Sequence, residues 1–328
     1  MRISHGFEDL GPGLRGGAAA IGNFDGVHLG HRALIDAARA AAAAAGPGTP
    51  VSVVTFEPHP RRHFQPDAPP FRLTTPEEKA HLIAAAGVER LHVLTFDAAL
   101  SSMSPETFAR EVIAGGLGLG HVVVGEDFRF GHRRAGDAAL LRRLGQHMGF
   151  GVTILHVVGD EAGDFSSTAA RVAVEQGNMA DAAAILGRWH AVTGRVRQGD
   201  RRGRELGYPT ANLEFGAQIL PRFGIYAARV EVRDGPHRGL HDGVASIGVR
   251  PTFGVNAPNF EVHLFDFDGN LYGAPMAAGL VAFLRAEARF DSVEALIAQM
   301  DRDSLDARDA LSRARIPHRA PGARKRSG

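Results

Sequence analysis

Two histidines three residues apart, with glycines on either side, are the first residues that could do chemistry. Residues 21–31 read Ile-Gly-Asn-Phe-Asp-Gly-Val-His-Leu-Gly-His. An apolar run from Gly17 to Ile21 precedes them, and an Ala-rich helical pattern from about Gly30 to Ala45 follows. Strand, tight turn and helix start is the simplest local reading. Gly22, Gly26 and Gly30 let a ligand approach the backbone. The N–H groups and dipole of a helix N-terminus attract phosphate. His28 and His31 share one helix face there. Imidazoles, bare backbone and a helix start together suit a polyphosphate.

The elements that position this stretch alternate. Strand patterns at Val51–Phe56, Leu91–Phe96, His121–Val124 and Val152–Val158 are interleaved with helical patterns at Pro76–Ala86, near Pro105–Ala114 and near Gly136–Met148. That alternation predicts a parallel sheet covered on both faces. Such sheets bind ligands beyond the strand C-terminal ends. The 21–31 turn, the Glu57–Pro60 turn and the Gly125–Gly131 turn all lie at such ends. Ser166, Ser167 and Thr168 then open a short helix carrying Arg171. Caps account for the hydroxyls but not for the arginine.

From about Gly187 the pattern changes to short β-type runs at Ala191–Arg197, Ala211–Phe215, Ile225–Val232, Gly243–Ile247, Phe260–Phe265 and Ala278–Phe283. These predict a small antiparallel barrel, closed by a helix over about Ser292–Leu311. Two domains are expected, 1–185 and 186–312, with a disordered basic tail at 313–328.

Composition excludes several classes. The 328 residues carry a net charge of +1, which argues against wholesale nucleic-acid binding. There is no cysteine, as suits a reducing cytoplasm. The start, MRISHGFEDL, lacks the apolar core of a signal peptide, and no apolar run reaches the length of a membrane span. Lys79 and Lys325 are the only lysines, and neither follows a Gly-rich loop. The chain therefore has no Walker-type phosphate loop. Phosphate handling falls to Arg, His, backbone N–H groups and metal.

The second stretch with chemistry is Gly199-Asp-Arg-Arg-Gly-Arg-Glu-Leu-Gly-Tyr-Pro-Thr-Ala-Asn212. Glycines 199, 203 and 207 leave a loop backbone accessible. Thr210 and Asn212 alternate along a strand and share a face, where two neutral oxygens can share Mg²⁺ with ATP phosphates.

Longer matches give both stretches a family. His28-Leu-Gly-His31 with Ser166-Ser-Thr-Ala-Ala-Arg171 resembles the nucleotidylyltransferase superfamily. Ile21–His31, Phe56-Glu-Pro-His-Pro-Arg61, Arg72-Leu-Thr74 and Val124–Gly131 resemble the N-terminal module of bacterial FAD synthetases. The Gly199–Asn212 run, Gly224–Ala227, Ile247–Phe253, Glu261–Phe267, Leu271–Gly273, Arg285–Glu287 and Phe290 resemble the riboflavin kinase module. The chain is thus similar to bacterial bifunctional riboflavin kinase/FMN adenylyltransferases. The resemblance implies a Rossmann-like α/β nucleotidylyltransferase domain followed by a small antiparallel β-barrel with a C-terminal helix.

It also implies roles. Asn23, Asp25, His28, His31, Ser167, Thr168 and Arg171 fall around ATP, with His28, His31 and Arg171 handling the reacting phosphates. Asp127, Phe128 and Phe130 fall nearer the flavin, although the two aromatics also suit a core. His59 either contacts ligand or only shapes a Pro-bounded turn. In the second module Gly199, Leu206, Gly207 and Pro209 line the nucleotide loop, and Thr210 and Asn212 hold Mg²⁺ with ATP. Arg285 and Glu287 lie by the flavin, and Glu261 is the candidate base. Expected substrates are ATP, riboflavin and FMN, without nucleic acid or membrane; oligomeric state stays open. Two narrower readings stand beside this one: a chain with only the kinase step active, and a flavin-binding regulatory protein without turnover.

Three positions depart from the family pattern. Ala170 replaces a larger aliphatic residue before Arg171, which could loosen that helix. Trp189, in Leu186-Gly-Arg-Trp-His190, takes the place of the usual proline, and either packs between the modules or caps the barrel. Asn270 replaces a common aspartate and can keep the turn.

Overall fold

The structure is a computed structural model that describes residues 1–8, 10–156, 158–160, 163–199, 203, 206–252, 255–317 and 322–323. Its contacts divide the chain into two units: residues 1–69, 76–166 and 320–328, and residues 70–75 with 167–319. The helices Ser167–Gln176 and Met179–Leu186 therefore group with the second unit.

The first unit is built on a six-stranded parallel sheet. Its strands run side by side as Arg2–His5, Arg90–Thr95, Val51–Glu57, Ala18–Ile21, His121–Gly125 and Gly151–Leu155. The central strands are apolar and buried on both faces, as parallel strands must be. One core cluster, around Ile35, Ala38 and Ile83, covers one side; another, around Val112, Ile113 and Leu141, covers the other. Strand order reverses between Ala18–Ile21 and His121–Gly125, so the ligand crevice of such a sheet opens there. The three turns singled out in the sequence leave the three adjacent strands at this point.

Some elements differ from expectation. Arg2–His5 adds an edge strand that its polar sequence did not announce. The helix expected near Pro105–Ala114 is one α-turn, Pro105–Thr107, followed by a π-helix over Phe108–Gly116. Phe108, Ala109, Val112 and Ile113 of that segment are buried.

The second unit holds an antiparallel sheet in the order His190–Arg195, Pro275–Arg285, Gly224–Val232, Gly239–Thr252, Val255–Leu264, Ala211–Leu213. A bridge between Arg197 and Asn212 brings its two edge strands together, closing the curl. The helix Val293–Arg313 packs on it through Ala307 and Leu311. Trp189 joins that same cluster, so it packs on the barrel. Asn270 keeps its turn, with Oδ1 accepting from Tyr272 N at 3.0 Å. The segment 70–75 belongs here too: Arg72 N donates to Ala217 O, and Ile219 N donates to Arg72 O.

Of the tail expected to be disordered, 318–321 and 324–328 lie outside the described residues. Gly322 and Ala323 pair with Gly159 and Val158, so this part forms a short ladder instead.

Candidate active sites

The turn between Ile21 and the helix Leu29–Ala45 is held in an unusual backbone form. Phe24 (φ 52°) and Val27 (φ 39°) are both left-handed. Each such residue costs on the order of 1–3 kcal/mol, and a β-branched valine is a rare choice there. Both side chains are fully buried, which contributes about 1.5–3 kcal/mol each. Burial thus offsets the strain and fixes the turn.

His28 is the N-cap of the helix, its Nδ1 accepting from His31 N at 3.3 Å. An accepting Nδ1 puts the ring proton of a neutral His28 on Nε2, which is then a donor. The His28 and His31 rings stack at 3.6 Å. A side-chain carbon on Gly30 would stand 2.8 Å from the Phe165 carbonyl, so only glycine lets the helix start approach that backbone. Asp25 is buried in the turn and Asn23 is exposed.

The neighbouring turns supply further groups. His59 caps the helix Pro60–Phe64, its Nδ1 accepting from Arg61 N at 3.1 Å. Asp127 is exposed. Phe130 is buried in the core, while Phe128 is only partly buried and stacks on it at 5.5 Å. Of the two aromatics, Phe128 keeps a surface for a ligand.

Ser167, Thr168 and Arg171 lie on the helix Ser167–Gln176 of the second unit. Arg171 Nε donates to Phe71 O at 2.8 Å. Ala170 is fully buried beside Ala173 and Val174, so its small side chain is part of a packed helix face.

In the second unit Thr210, Asn212 and Glu261 converge. Asn212 and Glu261 are directly opposed on neighbouring strands. Thr210 Oγ1 donates to Glu261 Oε2 at 3.1 Å, and Asn259 Nδ2 donates to Oε1 at 2.8 Å. Glu261 lies three residues before the end of the strand Val255–Leu264. Asn259 escaped the sequence reading, although two-residue spacing puts it on the face of Glu261. His263 Nδ1 donates to Pro209 O at 2.9 Å. Gly199 lies against the Asn212 amide, where a side-chain carbon would come within 2.5 Å of Nδ2. Tyr208 donates to Asp301 on the C-terminal helix. Burial, with that acceptor, pushes the phenol above its ordinary value. Leu206 and Gly207 form a turn before Pro209; Asp200, Arg201, Arg202, Arg204, Glu205 and Phe253 of the matching motifs lie outside the described residues.

Arg285 is drawn into a fork with Asp303, Nε to Oδ1 at 2.7 Å and Nη2 to Oδ2 at 2.6 Å. It ties the strand Pro275–Arg285 to the C-terminal helix. Glu287 lies over Gly248, whose missing side chain leaves it room.

Two family models match in order: FAD synthetase over residues 12–169, and riboflavin kinase over residues 186–311. The bifunctional riboflavin kinase/FMN adenylyltransferase of Pseudomonas fluorescens is 39% identical over 94% of this chain and 97% of its own length. This chain belongs to the bifunctional riboflavin kinase/FMN adenylyltransferase family. The family member of Bacillus subtilis (strain 168) is 34% identical over 88% of this chain and 90% of its own. A solved structure described as a macrolide-efflux protein from Streptococcus pneumoniae aligns with a TM-score of 0.83 at 30% identity, over 94% of this chain and 99% of that one. The efflux description belongs to that protein. In this family member no helix among the described residues is long and apolar enough to cross a membrane.

Proposed function

We infer that this chain makes FMN from riboflavin and ATP in its C-terminal module, and FAD from FMN and ATP in its N-terminal module. The observation that carries the reading is the convergence of Thr210, Asn212 and Glu261 in the second unit, beside a separate histidine-capped helix start in the first.

In the kinase step a neutral ribityl hydroxyl must attack the terminal phosphorus of ATP. The new O–P bond forms as the bond to ADP breaks, and the hydroxyl proton must go to an acceptor. Glu261 is that acceptor. A positioned base contributes about 10²–10⁴-fold to such a step. Thr210 and Asn259 hold both carboxylate oxygens in place. The donor set around it also fits Mg²⁺: hard oxygens from Thr210 and Asn212, too few to cage the ion alone, so ATP phosphates and water complete the shell. Among the described residues no cluster of three or more His, Cys, Asp or Glu could hold a metal by itself. Thr210 and Asn212 would hold the ion, which would neutralise phosphate charge.

In the adenylyl step the FMN phosphate is already anionic and needs no base. It attacks the α-phosphorus of ATP, and pyrophosphate leaves. Catalysis is then positioning and charge neutralisation. His28 Nε2–H, His31 and the helix N-terminus donate to phosphate oxygens. Asn23 and Asp25 hold the nucleotide. Phe128 and Asp127 receive the flavin, with Phe130 supporting from the core and His59 shaping the adjoining turn. In the kinase module Gly199, Leu206, Gly207 and Pro209 line the ATP loop, and Arg285 and Glu287 position the flavin side. The enzyme works in the cytoplasm on small molecules, in keeping with a chain without cysteine and a net charge of +1.

Chromatography of products from riboflavin, ATP and Mg²⁺ tests the reading. FMN followed by FAD is expected. FMN alone leaves only the kinase, and neither product removes both.

A further inference from the structure

Lys79 entered the sequence reading only as a lysine in the wrong place for a phosphate loop. The structure gives it a different place. It sits on the helix Pro76–Ala85, one turn before Ile83, and is 2% exposed. A buried lysine is costly unless paired and hydrogen-bonded. Here three acceptors stand around Nζ: Glu57 Oε1 at 2.6 Å, Thr55 Oγ1 at 3.1 Å and the Asn23 carbonyl at 3.4 Å. An ammonium has three N–H donors. Thr55, having accepted from Lys79, passes its own proton to Asn23 O at 3.0 Å.

These acceptors belong to two turns. Asn23 lies in the strained turn that leads to His28, and Glu57 ends the strand that leads to His59. The two strands feeding them, Ala18–Ile21 and Val51–Glu57, are adjacent and parallel. One ammonium behind the sheet end therefore joins both.

We propose that Lys79 is a positioning residue for adenylyl transfer, holding the Asn23 and Glu57 turns in one fixed relation from behind. This rests on the assignment of FMN adenylylation to the first unit. Among the described residues the ammonium meets the carboxylate and two further oxygens, and through them it ties the backbone of one turn to the strand end of the other. The turn needs such a hold. Phe24 and Val27 are in conformations that a released backbone would leave, and a shift of about 1 Å in a reacting group can cost on the order of a hundredfold in rate.

The test uses the full chain and two variants, Lys79→Met and Thr55→Val. Thr55→Val is nearly isosteric and keeps the Lys79–Glu57 pair and the long direct contact of Lys79 with Asn23 O, while it removes the hydroxyl that bridges the two at shorter distances. For each, kcat and KM for ATP are measured for FAD formation from FMN, and FMN formation from riboflavin serves as the internal control. We expect kcat for FAD formation to fall about a hundredfold in Lys79→Met and about tenfold in Thr55→Val. The ATP KM should change far less, and the kinase rate should stay within about twofold. A purely structural lysine would lower the melting temperature and leave kcat of the folded chain unchanged, which overturns the proposal. If Lys79→Met loses both activities, Thr55→Val decides: a parental kcat there overturns the proposal, and a selective fall supports it. A parent chain that makes FMN but no FAD instead overturns the adenylylation assignment on which the proposal stands.

Discussion

Thr210 donates its hydroxyl to the carboxylate of Glu261 at 3.1 Å, across 51 residues of sequence. The bond leaves the carboxylate anchored at one oxygen by Thr210 and at the other by Asn259. Anchoring fixes the direction from which a proton can be taken. It also puts the proposed base beside the oxygens assigned to Mg²⁺ and ATP.

Glu261→Gln should therefore lower FMN formation by about 10²–10⁴-fold. The amide keeps the shape but takes no proton. FAD formation from supplied FMN should stay near the parental rate, because His28 and His31 lie in the other unit. Separate assays of the two products check this; an equal loss of both would count against separate sites.

His28 has two jobs that a single substitution can separate. It caps the helix Leu29–Ala45 and it carries a candidate phosphate donor. Asparagine is among the best N-cap residues, so His28→Asn should hold the melting temperature near the parent. Losing one preorganised donor typically costs about 10²–10³-fold. FAD formation should drop by that order, with riboflavin phosphorylation unchanged. A parental rate of FAD formation would leave His28 as a cap alone.

How much of this was legible follows from the range of each signal. The 21–31 turn could be read because a buried strand, glycines and a helix start are contiguous. The crevice could be read because three such turns follow three apolar runs, although their adjacency came only with the strand order. Thr210 and Asn212 share a face by simple alternation, but their meeting with Glu261 is a matter of register. Lys79 was illegible for the opposite reason: a charged side chain reads as solvent-facing, and its burial depends on acceptors from two distant turns. Arg285 resembled a ligand residue in sequence, and its fork with Asp303 was visible only once the last helix was placed.

His92 gives a prediction in pH. It is fully buried on the strand Arg90–Thr95, with Nδ1 and the Ser4 hydroxyl 2.8 Å apart. Burial first, and then the charge of Arg90, pushes its imidazole down from 6.5 to about 4. The unfolded chain therefore binds a proton below pH 6.5 that the folded chain refuses until about pH 4. Its contribution to stability is whole above pH 6.5 and is lost as pH falls toward 4, by about 3 kcal/mol in all. His92→Asn keeps a polar partner for Ser4 and does not titrate. The parent's melting temperature should fall more steeply over this window than the variant's; parallel curves would show that His92 does not contribute.

Gly199 tests the kinase loop without touching a charged group. Its Cα faces the Asn212 amide so closely that a methyl group would stand 2.5 Å from Nδ2 and 2.8 Å from Oδ1. Contacts that short cannot persist, so either the loop or the amide must move. Asn212 is held in register opposite Glu261 on one side and bridged to Arg197 on the other, which leaves its side chain to turn away. Gly199→Ala should then displace one of the two oxygens assigned to Mg²⁺. We expect riboflavin phosphorylation to fall on the order of tenfold to a hundredfold, partly restored by raised Mg²⁺. FAD formation from supplied FMN should be unaffected, since the Gly199 loop belongs to the second unit. A kinase rate that falls without any response to Mg²⁺ would place the damage in the loop itself and remove Asn212 from the metal site.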